Sequence, residues 1–194
     1  MTYKALYVDD ETQSPEPNDV VDIMEKDGLF TCDLIFPPQH LSDISTNYDV
    51  YLLDLDLTSA SEDQQKVSYR GSTLAAELRL RSQSKPIILL TRETVIDSSS
   101  WWKQILENNV DVDVVMYKGG LIKDPKFYQK QIIILIEGYN SLVNITGSKW
   151  RAVLELLEAD QDSQNKIKES NPPVNGNNWN IPHTSRWIRN ILMN

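Results

Sequence analysis

Six polar residues stand where apolar runs stop, and their types together suit phosphoryl chemistry. Asp9 and Asp10 follow Ala5-Leu6-Tyr7-Val8, Asp54 and Asp56 follow the run from Tyr48 to Leu53, Thr91 follows Ile87 to Leu90, and Lys118 follows Val112 to Tyr117. If those runs are strands of one parallel sheet, their carboxyl ends share a rim, which is where such sheets bind ligands. The rim would then hold several carboxylates, one hydroxyl and one amine. Two carboxylates ~4 Å apart repel by roughly 4 kcal/mol at an effective dielectric of about 20, so the cluster calls for a cation. A hard divalent ion with oxygen ligands fits, and Mg2+ held by a few carboxylates, waters and a phosphoryl group is the common form. Asp9, Asp10 and Asp54 set against Lys118 and Mg2+ come to neutrality. An Asp nucleophile, a metal, a hydroxyl and an ammonium are the parts needed to move a phosphoryl group onto a carboxylate. Each residue alone is ordinary, since strand-end acids are often just solvated. Their joint occurrence after four separate runs is not.

The elements that would position them alternate. The spacing predicts a helix from about Asp19 to Asp27, with Val20, Val21, Ile23 and Met24 inward and Gly28 beyond its end. Phe30 to Phe36 reads as a strand stopped by Pro37-Pro38, and Thr58 to Gly71 as a polar loop. Ser72 to Arg81 carries Leu74, Ala75, Leu78 and Leu80 near helical spacing, and Trp101 to Asn109 reads as a further helix. From Pro125 to Val143, Tyr128, Ile132, Leu135, Ile136, Tyr139, Leu142 and Val143 draw one apolar face, with Ile133 and Ile134 off it. Strand–helix alternation means an α/β domain with a parallel sheet, and the continuous apolar strands fit a sheet covered on both faces. Residues 1–144 form that domain and residues 145–194 a helical segment. In the latter, Trp150, Val153, Leu154 and Leu157 repeat at helical spacing after Ser148. Pro182 opens a last helix carrying Trp187, Ile188, Ile191 and Leu192.

Composition narrows the partners. The net charge of −9 is uneven: residues 1–144 hold 13 Lys/Arg against 23 Asp/Glu, whereas residues 145–194 hold 6 against 5. An acidic front domain is a poor nucleic-acid binder, because phosphate contacts need a basic face. Hydrophobic residues at 40% and charged residues at 24% are ordinary for a domain with a sizeable core. No apolar run approaches membrane-spanning length, and MTYKALYVDD enters a strand pattern with no separate leader regions. Cys32 is the lone cysteine and reads as a small buried hydrophobe, so a cytoplasmic setting is expected.

KALYVDDE, YDVYLLDLDL, KPIILLT and VVMYK, in that order, resemble the receiver domains of two-component response regulators. The resemblance spans about residues 3–143 and implies a flavodoxin-like doubly wound five-stranded parallel sheet of order 2-1-3-4-5 with a small helical C-terminal extension. It implies Asp54 as phospho-acceptor and Asp9 and Asp10 as the acidic pair, with Asp10 the direct Mg2+ ligand. Asp56 would offer its backbone carbonyl to the metal, Thr91 would be the switch hydroxyl, and Lys118 would pair with the phosphoryl oxygens. A histidine kinase or phosphotransfer protein would be the donor. Receivers commonly dimerise through their fourth and fifth helices, so a homodimer is implied there. The chain would accept phosphate on itself rather than turn over as an enzyme. Three positions depart from the family pattern: Thr58 replaces a proline, Gly119 replaces the proline after the lysine, and Val115 stands where an aromatic switch residue is usual. The loop to Gly71 is also long. A degenerate receiver serving only as a protein-binding module is therefore the alternative.

Asp54-Leu55-Asp56-Leu57-Thr58 also resembles the nucleophile motif of haloacid-dehalogenase-type phosphatases. In those enzymes the motif follows the first core strand and the metal-binding acids come after the lysine. Here the acids precede, at Asp9-Asp10, so the order favours the receiver. In the C-terminal segment, Pro182 to Met193 could act as a DNA recognition helix, with Arg186 and Arg189 on its polar side and His183 and Thr184 near its start. A segment charge of +1 is thin for that, and an interaction or linker region, or a truncated domain, is the preferred reading.

Overall fold

The computed structural model of the chain describes residues 2–58, 66–92, 111–144, 153, 155 and 180–193. Five short apolar runs become strands: β1 (Tyr3–Val8), β2 (Phe30–Ile35), β3 (Val50–Asp54), β4 (Ile87–Thr91) and β5 (Val114–Tyr117). All neighbours pair in parallel, in the order β2-β1-β3-β4-β5. This is the flavodoxin-like doubly wound arrangement that the receiver resemblance implies. Every residue of β3 and β4 is buried, as a central strand covered on both faces requires.

The two faces follow strand alternation. Tyr3, Ala5 and Tyr7 of β1 join Val50, Leu52, Ile88 and Leu90 in one core, against Val20 and Met24 of α1 (Pro15–Glu25). A short helix, α3 (Lys118–Lys123), and the first part of α4 (Pro125–Val143) complete that side through Leu121, Ile132 and Ile136. Leu6, Val8, Tyr51, Leu53, Ile87 and Leu89 face the other way and pack on Leu74, Ala75 and Leu78 of α2 (Gly71–Arg81). Each such fully buried aliphatic contributes about 1.5–3 kcal/mol.

Several local expectations shift. Helix α1 starts at Pro15 rather than Asp19, because prolines at its first positions need no intrahelical N–H partner. Gly28, at φ +67°, turns the chain into β2 and donates its N–H to Glu25 O at 2.9 Å. Leu80 lies on the outer side of α2 and is 78% exposed, so it is not part of the core stripe. On α4, Ile133 packs partly buried against the core, while Ile134 and Val143 are exposed. Strand β5 starts at Val114, two residues late, because Asp113 spends its carboxylate on Arg79 and on the Ile87 N–H.

The chain divides into two units, Met1–Ile136 and Glu137–Asn194, and α4 contributes to both. Within the second unit, Leu142 and Val153 are buried together with partly buried Ile181, Trp187 and Ile188. Its last helix, α5 (Ile181–Met193), is capped by Asn180, whose Oδ1 accepts the His183 N–H at 2.9 Å. Thr184 is buried and donates its hydroxyl to Asn180 O at 2.9 Å, which leaves His183 as the exposed member of that pair. The predicted helix at Trp101–Asn109, and Ser148, Trp150, Leu154 and Leu157, lie outside the described residues, as do the side chains of Arg186 and Arg189.

Candidate functional site

Strand register brings the six polar residues together one step at a time. Val8 pairs with Leu53, so Asp9 comes level with Asp54. Asp54 pairs with Leu90, one residue short of Thr91, and Thr91 pairs with Tyr117, one short of Lys118. Neighbouring strands lie about 4.8 Å apart, so four ends of consecutive strands meet within side-chain reach. The turn after β1 is tied to β2 by the Asp9 N–H to Ile35 O bond at 3.2 Å.

Asp9, Asp10, Asp54, Thr91 and Lys118 are all buried. The carboxylate oxygens of Asp9, Asp10 and Asp54 can lie within 4.8 Å of one another, and these three form the one group of metal-capable side chains among the described residues. Lys118 Nζ stands 2.6 Å from Asp54 Oδ1 and 2.8 Å from Asp9 Oδ2. Asp54 Oδ2 accepts the Asp56 N–H at 3.2 Å, a weaker hold. Asp9 is more fully engaged: Oδ1 accepts the Glu11 N–H at 2.8 Å, and Oδ2 also accepts the Tyr7 hydroxyl at 2.5 Å.

Charge is out of balance here. Burial pushes the Asp54 carboxyl up to about 7; Lys118 opposes that rise, and Asp9 and Asp10 add to it. Burial also works to lower the Lys118 pKa, but Asp54 and Asp9 together outweigh it and the ammonium titrates above its usual value. One ammonium serves two carboxylates with a third beside them, so the site favours a further cation. A set of oxygen donors short of positive charge fits a hard divalent ion such as Mg2+. Asp9, Asp10 and Asp54 are the side chains grouped closely enough to hold it.

Asp56 is exposed, and its carboxylate accepts both the N–H (3.1 Å) and the hydroxyl (2.6 Å) of Thr58. The Thr91 hydroxyl points to Arg92 O at 3.5 Å, too long a contact to hold it firmly. Four residues at the site were not singled out by the sequence. Tyr7 bonds Asp9, Glu16 lies 4.0 Å from Lys118 Nζ, and Arg92 bridges Glu11 and Glu16 at the outer edge. Gly71 opens α2 directly over the end of β3, where an added Cβ would lie 2.0 Å from Asp54 O. Tyr7 had a signal, because i and i+2 share a strand face and a buried tyrosine hydroxyl needs a partner. The others depend on tertiary distances that no local pattern encodes.

No family model matches the chain. No curated protein matches it either. Among solved structures it is similar to the receiver domain of Francisella response regulator 1452, at 18% identity over 70% of this chain and 98% of that one, TM-score 0.49. It is similar to the response regulator protein TrrA from Thermotoga maritima in complex with Mg(2+)-BeF, at 21% identity over 68% of this chain and 99% of that one, TM-score 0.45. It is also similar to a structure described as adenylate cyclase from Rhodopirellula baltica, at 14% identity over 82% of this chain and 100% of that one, TM-score 0.48.

Proposed function

We propose that the chain is a phospho-acceptor receiver of the two-component response-regulator type. Asp54 takes a phosphoryl group from a histidine kinase or phosphotransfer protein, and the signal passes to residues 145–194. The observation that carries this reading is the buried Asp54 carboxylate, 2.6 Å from Lys118 and grouped with Asp9 and Asp10 as a site for one hard cation. The reaction balances as a simple transfer. An Asp54 oxygen forms the new O–P bond while the donor's P–N bond breaks, and the electron pair leaves with the imidazole nitrogen. Lys118, already donating to Asp54, is placed to hold a phosphoryl oxygen, and the weakly held Thr91 hydroxyl is free to turn to another. The Asp9, Asp10 and Asp54 carboxylates would hold Mg2+, which would supply positive charge to the phosphoryl oxygens. Burial of the pocket strengthens each of these interactions.

A phosphatase would need a second acid to protonate a leaving group. Asp56 is the candidate by position, yet it is exposed and tied to Thr58, which counts against that role. The receiver phosphorylates and dephosphorylates on itself and is not otherwise an enzyme. A cytoplasmic setting suits a kinase partner, and no helix among the described residues is long and apolar enough to cross a membrane. A homodimer through α4 completes the proposal, supported by the exposure of Ile134 and Phe127.

The test is intact-mass spectrometry after incubation with a small phosphodonor and Mg2+. One phosphoryl group on the wild-type chain and none on Asp54→Asn is the expected result. Equal labelling of both would move the acceptor elsewhere, and no labelling of either would leave a receiver fold that only binds partners.

A further inference from the structure

Asp9 and Asp54 share one ammonium, that of Lys118. Lys118 Nζ is nearer Asp54 Oδ1, at 2.6 Å, than Asp9 Oδ2, at 2.8 Å. Both carboxylates are buried, so the difference does not come from solvent screening of one of them. What distinguishes them is their other donors. The Asp9 oxygen that meets Lys118 also accepts the hydroxyl of Tyr7 at 2.5 Å, and its second oxygen accepts the Glu11 N–H at 2.8 Å. A carboxylate oxygen has two lone-pair sites, so Tyr7 and Lys118 between them fill Asp9 Oδ2. Among the described residues, Asp54 has the longer Asp56 N–H contact beside its lysine.

Tyr7 is wholly buried in β1, and its ring packs in the core shared with α1. The same ring centroid lies 6.0 Å from Lys118 Nζ, so the tyrosine lines the wall along which the lysine approaches. Aliphatic residues fill the neighbouring inward positions of β1 and β3, at Ala5, Val50 and Leu52, and would fill this one without placing a donor under Asp9.

We infer that Tyr7 is a positioning residue for Lys118: its hydroxyl satisfies Asp9, and the shared ammonium is thereby left to Asp54 and to the phosphoryl group that Asp54 receives. The inference rests on the phospho-acceptor reading and adds to it a residue that touches neither metal nor phosphate. Removing the hydroxyl raises the demand of Asp9 on Lys118 and draws the ammonium off Asp54. Metal binding is affected little, whereas recognition of a phosphoryl group suffers.

The experiment compares wild type with Tyr7→Phe by calorimetry, first with Mg2+ alone and then with beryllofluoride, a phosphoryl mimic, at saturating Mg2+. Tyr7→Phe keeps Mg2+ affinity within about twofold and loses about tenfold in beryllofluoride affinity, the scale of one hydrogen bond to a charged group. A packing role would lower both affinities together, without the split between Mg2+ and beryllofluoride. Equal affinities in wild type and Tyr7→Phe overturn the inference, as does a parallel fall in both ligands. Wild type that binds neither ligand overturns the receiver reading itself, and the tyrosine's role with it. Circular dichroism and thermal melting check the fold, and Tyr7→Leu is the second hydroxyl-free variant should the phenylalanine fail to fold.

Discussion

Lys118 Nζ lies 2.6 Å from Asp54 Oδ1, and the two residues close strands that are not adjacent in the sheet. The lysine reaches past β4 because it is the first residue of α3, where the chain leaves the plane of the sheet. Both groups are buried, so leaving either charge unpartnered is costly.

Metal and phosphate dependence separate at this pair. Asp10→Ala removes a metal-directed carboxylate and should weaken Mg2+ binding by ten-fold or more, on the order of one lost charged contact. Lys118→Ala deletes a neighbouring positive charge and should leave Mg2+ affinity unchanged or slightly raised, while labelling of Asp54 falls steeply. Calorimetric Mg2+ titration beside phosphodonor labelling reads both. Equal loss of metal in the two variants would put Lys118 in the wrong place.

The site also carries a pH signature. The Asp54 carboxyl is pushed from 3.8 to about 7 by burial, with Asp9 and Asp10 adding to the effect. Between those values the folded state holds a proton that the unfolded chain has released, so metal-free stability falls as pH rises through that window. The full penalty, reached above about pH 7, is on the order of 4 kcal/mol. A bound cation removes it by favouring the ionised form. The gain in melting temperature on adding Mg2+ should therefore grow from pH 5 to 7 and level off above. In Asp54→Asn the rise should be largely absent, and a wild-type gain independent of pH would contradict the assignment.

Strand ends are legible in sequence because each is an apolar run closed by a polar residue, and parallel register then brings them to one rim. That much needed no distances. Apolar spacing places the start of α1 at Asp19, because Pro15 and Pro17 precede the first apolar residues of its stripe, although proline is well tolerated at a helix's first turn. Leu80 misled because helical spacing alone does not say which face is buried. Arg92, Glu16 and Gly71 act across elements, and their roles arise only when β4, α1 and α2 are packed.

Gly71 illustrates such a role. An added Cβ would lie 2.0 Å from the Asp54 carbonyl oxygen and 3.1 Å from Leu89 Cδ2. The first of these is backbone and cannot swing away, so Gly71→Ala must displace α2 or the end of β3. A loss of about 1–3 kcal/mol in chemical denaturation is expected, the usual cost of overpacking. Labelling of Asp54 should fall as well, since the displaced carbonyl belongs to the acceptor itself. A variant with wild-type stability would mean that the helix start yields freely.

At the opposite end of β4, stability should separate from chemistry. Arg79 is buried and bonds Asp113 at 2.7 Å, Lys85 O at 2.8 Å and Asp111 O at 3.0 Å. Asp113 also accepts the Ile87 N–H at 2.8 Å, which ties the starts of β4 and β5 together. Asp113→Ala leaves a buried guanidinium short of its counter-ion and should cost about 3–5 kcal/mol. Mg2+ affinity measured well below the melting temperature should be unchanged, because these residues stand at the strand starts and the acidic rim at the strand ends. Loss of metal binding in a still-folded variant would show the two ends to be coupled.

The last prediction concerns the outer side of α4. Phe127 is 53% exposed and Ile134 50% exposed, and residues seven apart share a helix face. Ile133, in contrast, packs against the core, so a charge there would test folding and not association. Two large apolar side chains on one solvent-facing stripe suit a second copy of the chain, in line with the dimer that the receiver reading implies. Light scattering of the full chain should therefore report a dimer that Phe127→Glu or Ile134→Glu weakens while the melting temperature stays within a few degrees. A wild-type monomer at all accessible concentrations, with and without phosphodonor, would remove α4 as a dimer face. A dimer that survives both substitutions would place the contact elsewhere on the molecule.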